Sequence, residues 1–280
     1  MQIGSVLLDV NKLVIIGDAP IDTLTYMPSP TVISRWLSPD PLGEKYYQLS
    51  PYNFTANNPI LFTDPDGREI QVHFENEEAK KLYLNMVNKA FNNQFKVSLT
   101  GVKGKEGYFR VGVDKAKDGG DISKLGKGAQ SFYKEFTKIV KSDVVVSMDI
   151  VHSESDVNVG NFGKQSMDIA DVAQFPEFDP TKDSQDGPTQ AGKIIHETAE
   201  QFNKASKVDI NRAHDRAISY ENSTNGNERQ RQDTFLGRGS GVVQTFNLKN
   251  GSSVSFQIIG GQNSNKRGTI IIRPYTPTKK

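Results

Sequence analysis

From residue 69 to the C-terminus, apolar positions follow two periods that alternate along the chain. Residues 69–74 read as a short strand. Asn76 is placed to cap a helix over 77–92, whose stripe is Leu82, Met86, Val87, Ala90 and Phe91. Strands are predicted over 97–100 and 108–113, parted by Lys103, Gly104 and Lys105. A second amphipathic helix is predicted over 129–140, with Phe132, Phe136, Ile139 and Val140 inward, and 144–151 reads as a buried strand. Residues 153–187 are polar and loop-rich, broken by a short apolar run at 169–175. Two helices follow, over 189–204 and 211–221. Pro188 suits the start of the first, which offers Ile194, Ile195, Ala199 and Phe202 to the core. Residues 222–241 read as a surface loop. Three strands end the chain at 242–248, 253–259 and 269–273, the first two joined at Lys249-Asn250-Gly251, a strong hairpin signal. The pattern predicts an α+β fold with a helix pair and a C-terminal antiparallel meander.

Residues 1–67 have a different texture, rich in Pro, Asn, Tyr and Asp and with little helical periodicity. Arg35-Trp36-Leu37-Ser38-Pro39-Asp40-Pro41-Leu42-Gly43 contains the only tryptophan, and the region closes at Asp64-Pro65-Asp66-Gly67. Residues 35–67 resemble the end of the RHS-repeat-associated core of bacterial polymorphic toxins, in which a short Asp-Pro-x-Gly signature precedes a variable C-terminal toxin. The resemblance implies a loop-rich core remnant over 1–67 and a toxin domain over 68–280. The long strand repeats of a full RHS shell are missing from the chain.

Charge changes this picture little. Residues 1–70 hold four basic against eight acidic residues, a net of −4, which leaves +5 on the remainder of a chain with net charge +1. So mild and dispersed a balance argues against nucleic acid as a partner. The absence of cysteine excludes disulfides, thiolate metal sites and a cysteine nucleophile, so any metal must take nitrogen and oxygen ligands. The apolar N-terminal run is interrupted by Asp9, Asn11 and Lys12 and lacks the marks of a signal peptide. No stretch reaches the roughly 20 apolar residues of a membrane span.

The candidate chemistry lies in the helix pair. His196 and Glu200 stand four residues apart and can share a helix face, Glu197 follows His196, and His214 lies fourteen residues after Glu200. This allocation gives His196, Glu200 and His214 as ligands of one ion, zinc by default, with Glu197 as general base of a metal-dependent hydrolase. The usual motif has His at the position of Glu200. Glu221, seven residues after His214, is open to two roles: acceptor for a histidine N–H, or carboxylate ligand in place of Glu200. His73 and His152 read as packed or surface histidines, Asp168 and Asp171 as part of a polar loop, and Arg229, Arg231 and Arg238 as a solvated loop cluster.

His196-Glu197-x-x-Glu200 together with Ala213-His214-x-x-Ala217-Ile218-x-x-Glu221-Asn222 resembles the zincin-like metallopeptidase toxins that follow RHS cores. The resemblance implies a secreted effector delivered by a dedicated export system, cleaving a target-cell protein and neutralised by a cognate immunity protein. A strand edge near the site, 144–151, would then hold substrate by β-augmentation. Two alternatives stand beside it: an RHS-associated nuclease toxin, and an inactive binding module recognised by an immunity protein.

Overall fold

The computed structural model describes residues 70–142, 144–154, 157–237, 240–260 and 271–276, together with the backbone of strands at 2–3, 6–9 and 14–18. Trp36 and the Asp64-Pro65-Asp66-Gly67 signature lie outside the described residues. The chain divides into two compact units, Met1–Gly67 and Arg68–Lys280. In the first, β1 (Gln2–Ile3), β2 (Val6–Asp9) and β3 (Val14–Asp18) form an antiparallel sheet in that order.

The second unit is α+β. It opens with β4 (Ile70–Phe74), α1 (Glu77–Ala90), β5 (Phe95–Gly101), β6 (Tyr108–Lys115), α2 (Lys127–Val140) and β7 (Val146–Val151). Then come β8 (Gly160–Asn161), β9 (Ser166–Asp168) and the short α3 (Ile169–Val172). Strands β4 to β9 make one mixed sheet in the order β5-β6-β4-β7-β9-β8, with parallel pairing of β4 to β7 and β7 to β9. Parallel neighbours need a crossover, and α1 and α2 lie in the connection from β4 to β7. The second half holds α4 (Gln190–Ala205), α5 (Ile210–Asn225), β10 (Glu228–Arg229), β11 (Thr234–Phe235), β12 (Val242–Asn247), β13 (Ser253–Ile259) and β14 (Ile271–Pro274). Its strands form an antiparallel sheet, β10-β12-β13-β14, with β11 also paired to β12.

Local chemistry explains the helix ends. The Asn76 side chain accepts from the backbone N–H of Ala79 at 2.8 Å, and Glu77, Glu78 and Lys89 complement the α1 dipole. Thr189 caps α4, one residue after Pro188, and Asp209 caps α5. The core gathers Phe91, Phe132 and Phe136 between the helices and the sheet. The rings of Phe91 and Phe132 are 5.5 Å apart, as are those of Phe132 and Phe136. Tyr83 and Ala79 complete the α1 stripe, while Leu82 and Val140, expected inward, are only half-buried.

Helix α4 decides the architecture of the site. It is walled by α1, α2, α5 and β7, and twelve of its sixteen residues are buried, polar ones included. A short turn through Lys207, at φ 59°, brings α5 back against it.

Three expectations require correction. Helix α5 runs on to Asn225, where Gly226 stops it in the left-handed region at φ 65°. Its last turn holds because Thr224 and Asn225 are fully buried, which overrides their weak helix propensity. Residues 222–241 are therefore not all surface loop, since they include the end of α5, β10 and β11. Strand β7 is no edge, because β4 and β9 flank it. The terminal strand on that side is β8, and its Asn161 carbonyl already accepts from Gln201 Nε2 at 3.4 Å. Among the described residues no helix is long and apolar enough to cross a membrane.

Phe132→Ala is expected to cost about 3–5 kcal/mol, because a fully buried ring leaves a cavity between α1 and α2. Urea denaturation should show a lower midpoint with an unchanged slope. A midpoint unmoved by the substitution would contradict this packing.

Candidate metal centre and its supporting network

His196, Glu197 and Glu200 project from α4, and His214 from the first half of α5. The helix hairpin brings His196, Glu200 and His214 together, with one ligand atom from each within 4.8 Å of the others. His196 Nε2 lies 3.4 Å from Glu200 Oε1, and His214 Nδ1 lies 2.6 Å from the same oxygen. The two imidazole rings meet edge to face with centroids 5.0 Å apart.

This donor set fits zinc chemically. Ligands at zinc bond lengths of about 2.0–2.1 Å on a tetrahedron stand about 3.3 Å apart, which the His196–Glu200 separation matches. The His214–Glu200 contact is shorter, at hydrogen-bond length. His196 Nδ1 faces Glu221 Oε2 at 3.0 Å, which turns its other nitrogen toward Glu200. A carboxylate behind a ligating imidazole fixes its tautomer and orientation. Glu221 therefore faces His196 rather than His214, and it lies outside the group of three whose ligand atoms converge.

Glu221 is completely buried, and its charge is matched from two sides. Lys193 Nζ lies 2.6 Å from Oε1, and Arg229 Nη1 donates to Oε2 at 3.0 Å. Arg229 Nη2 in turn donates to both oxygens of Asp233, at 3.0 and 3.1 Å. Gln244 closes the circuit, accepting from Lys193 at 2.8 Å and donating to Asp233 at 3.0 Å. Burial works to raise the Glu221 carboxyl, but Lys193, Arg229 and His196 outweigh it and hold the group well below its ordinary range. Burial depresses the Lys193 ammonium, offset in part by Glu221.

The sequence reading missed Lys193, three residues before His196 on the buried helix, and placed Arg229 wrongly. Arg229 is only 3% exposed, tied to Glu221 and Asp233, whereas Arg231 is exposed and Arg238 lies outside the described residues. The spacing of Glu221 seven residues after His214 was visible. Its partnership with Arg229 depends on β10 folding back and has no periodic signal.

Glu197 faces the cleft from the other side of His196. Burial first, and then Glu200, push its carboxyl up to about 7, against the opposing pull of His196 and Lys193. Burial also acts to raise Glu200, but contacts with His196 and His214 prevail and hold it down at about 2. For His196, burial works against the charged form, but Glu200 and Glu221 together raise its pKa.

The wall opposite Glu197 is Gly160, where any Cβ would overlap the Glu197 carboxylate. Just before it, Val159 sits at φ 60°, a rare conformation for a β-branched residue. Buried acids hold it there. Asp171 accepts from Val159 N–H at 3.1 Å, and Asp168 N–H donates to the Val159 carbonyl at 2.8 Å. The Asp168 carboxylate also accepts from the backbone of Ser153 and Glu154 at 3.0 and 2.6 Å and caps α3. Asp168 and Asp171 are thus buried organisers of the site wall, not members of a plain polar loop.

His73 lies 3.3 Å from Asp149 and stacks on Tyr108, and the His152 ring lies 3.7 Å from Glu78. Neither lines the cleft. That cleft has a volume of about 310 Å³, and its lining includes the histidines and glutamates of the centre together with Gly160, Phe235 and Val242. No family model, no curated protein and no solved structure matches this chain.

Glu221→Gln strands Lys193 and Arg229 with one carboxylate fewer, so it is expected to destabilise by about 3–5 kcal/mol. Lys193→Met should cost less, since Glu221 keeps Arg229. A double-mutant cycle in urea should show the two sites strongly coupled, and additive effects would refute the network.

Glu197 titrates above its ordinary value of 4.5, so between about 4.5 and 7 the folded state holds a proton that the unfolded state has lost. Stability from this group is therefore present at low pH and lost as pH rises to 7. In metal-free protein, Glu197→Gln should gain stability relative to wild type across that window. Parallel pH–stability curves would rule this environment out.

Proposed function

We propose that the chain is a zinc-dependent peptidase whose ligands are His196, Glu200 and His214 and whose general base is Glu197. The observation that carries this reading is the convergence of those three donors with a buried glutamate at its side, all facing one cleft. Bound there, the ion would polarise a scissile carbonyl and acidify water. Glu197, titrating near neutrality, can accept the proton of the attacking water and return it to the departing amine. Glu221 keeps His196 directed at the centre, and Gly160 gives the Glu197 carboxylate its room.

The paired state of the cations favours a peptide over a nucleic acid. Lys193 and Arg229 both line the cleft, yet each already contacts a carboxylate, so neither stands free for a phosphate. The resemblance of 35–67 to an RHS core supports a wider reading. On it the domain is the effector end of a polymorphic toxin, delivered by an export system, acting on a target-cell protein and held in check by an immunity protein.

Elemental analysis of purified protein should find about one zinc per chain, and His196→Ala should lose it. Glu197→Gln should keep the metal while hydrolysis of an unstructured protein such as casein falls about 10²-fold or more. Absence of metal in wild type, even after zinc is offered, would overturn the proposal.

A further inference from the structure

The centre occupies only one side of the cleft; the other side is built by the second sheet, and its register gives it a distinct chemistry. Phe235 in β11 stands directly opposite Val242 in β12, and Val242 stands opposite Ile258 in β13. Directly paired residues on neighbouring strands point to the same face. The three side chains therefore form one cross-strand apolar row, and all three line the cleft, as does the buried Phe175. The row continues to the half-buried Ile272 of β14, opposite Ile258, and packs there against the core. Its other end is open: Phe235 is 63% exposed, and of the four large hydrophobic residues exposed among the described residues it alone lies on the cleft.

The base of this wall offers no charge to a ligand. Two cations, Lys193 and Arg229, face two carboxylates, Glu221 and Asp233, and their contacts are made to one another. Gln244, two residues beyond Val242 on the same face of β12, is engaged at both ends by Lys193 and Asp233. A charged side chain entering here would be desolvated without a counter-charge. An aromatic or branched aliphatic side chain would bury its surface against Phe235, Val242 and Ile258.

We propose that this wall is a side-chain subsite selecting an uncharged, bulky apolar residue beside the bond to be cleaved. The assignment rests on the zinc-peptidase reading for its place relative to that bond. The apolar row itself does not depend on the metal.

Two arms of one experiment separate these dependencies. Zinc-loaded protein is titrated calorimetrically with acetohydroxamate and with amino-acid hydroxamates bearing Phe, Leu, Asp or Lys side chains. Metal-free protein is titrated by NMR with the matching N-acetyl amino-acid amides, which have no metal-binding group. Phe and Leu forms should bind about tenfold or more tightly than Asp and Lys forms in both arms, the preference expected from burying one apolar side chain. Phe235→Ala, at an exposed position that does not threaten folding, should remove most of that preference while leaving acetohydroxamate binding unchanged. Equal affinities across the panel, or a preference indifferent to Phe235→Ala, would overturn the subsite. Failure of every hydroxamate to bind through zinc would instead refute the metal reading, and the amide arm would then decide the subsite alone.

Discussion

A fully buried carboxylate, that of Glu221, is the constraint around which the C-terminal unit is arranged. An isolated charge in such a place would cost far more than a domain's net stability, so it exists only because partners reach it from elsewhere in the fold. Lys193 and His196 come from α4, Arg229 from β10, and the carboxylate itself from α5. Asp233 and Gln244 extend the contacts to the second sheet. One circuit therefore joins the helix pair to the sheet that completes the cleft. The same circuit reaches His196, whose Nδ1 lies 3.0 Å from Glu221 and whose Nε2 faces Glu200. Structural cohesion and placement of a candidate metal ligand are here two effects of a single electrostatic arrangement.

The opposite wall solves a different problem. Glu197 needs a dry place with room for its carboxylate, and dryness raises its proton affinity toward neutrality. Room comes from a glycine at 160, and the wall is held close by Val159 in an unfavourable backbone conformation. The carboxylates of Asp168 and Asp171 satisfy the backbone N–H groups of that loop, which is what keeps the strained form in place. Both the strain and the elevated carboxyl oppose folding. Their concentration within one cleft, next to a group of potential metal ligands, is the pattern of a site that the rest of the core maintains.

The cleft is thus composite. Its polar side comes from two consecutive helices, its apolar side from cross-strand neighbours in a separate sheet. The proposed peptide substrate rests on this juxtaposition of a polar group of candidate metal ligands with an apolar wall.

Much of the unit was legible in one dimension because its causes are local. Asn76 caps α1, Asn250-Gly251 lies in the turn between β12 and β13, and the aromatic stripe of α2 is buried, all through contacts within a few residues or through simple periodicity. His196, Glu197 and Glu200 could be grouped for the same reason, and His214 could be added because a short turn makes α5 fold back on α4. Tertiary structure decided what depends on distant partners: that Arg229 is buried, that Glu221 faces His196, that Asp168 and Asp171 brace a site wall, and that β7 is flanked on both sides. Charged and loop-forming residues take their role from whichever opposite charge or unpaired backbone group the fold brings to them. Such a partner can lie at any sequence separation, so it leaves no period to read.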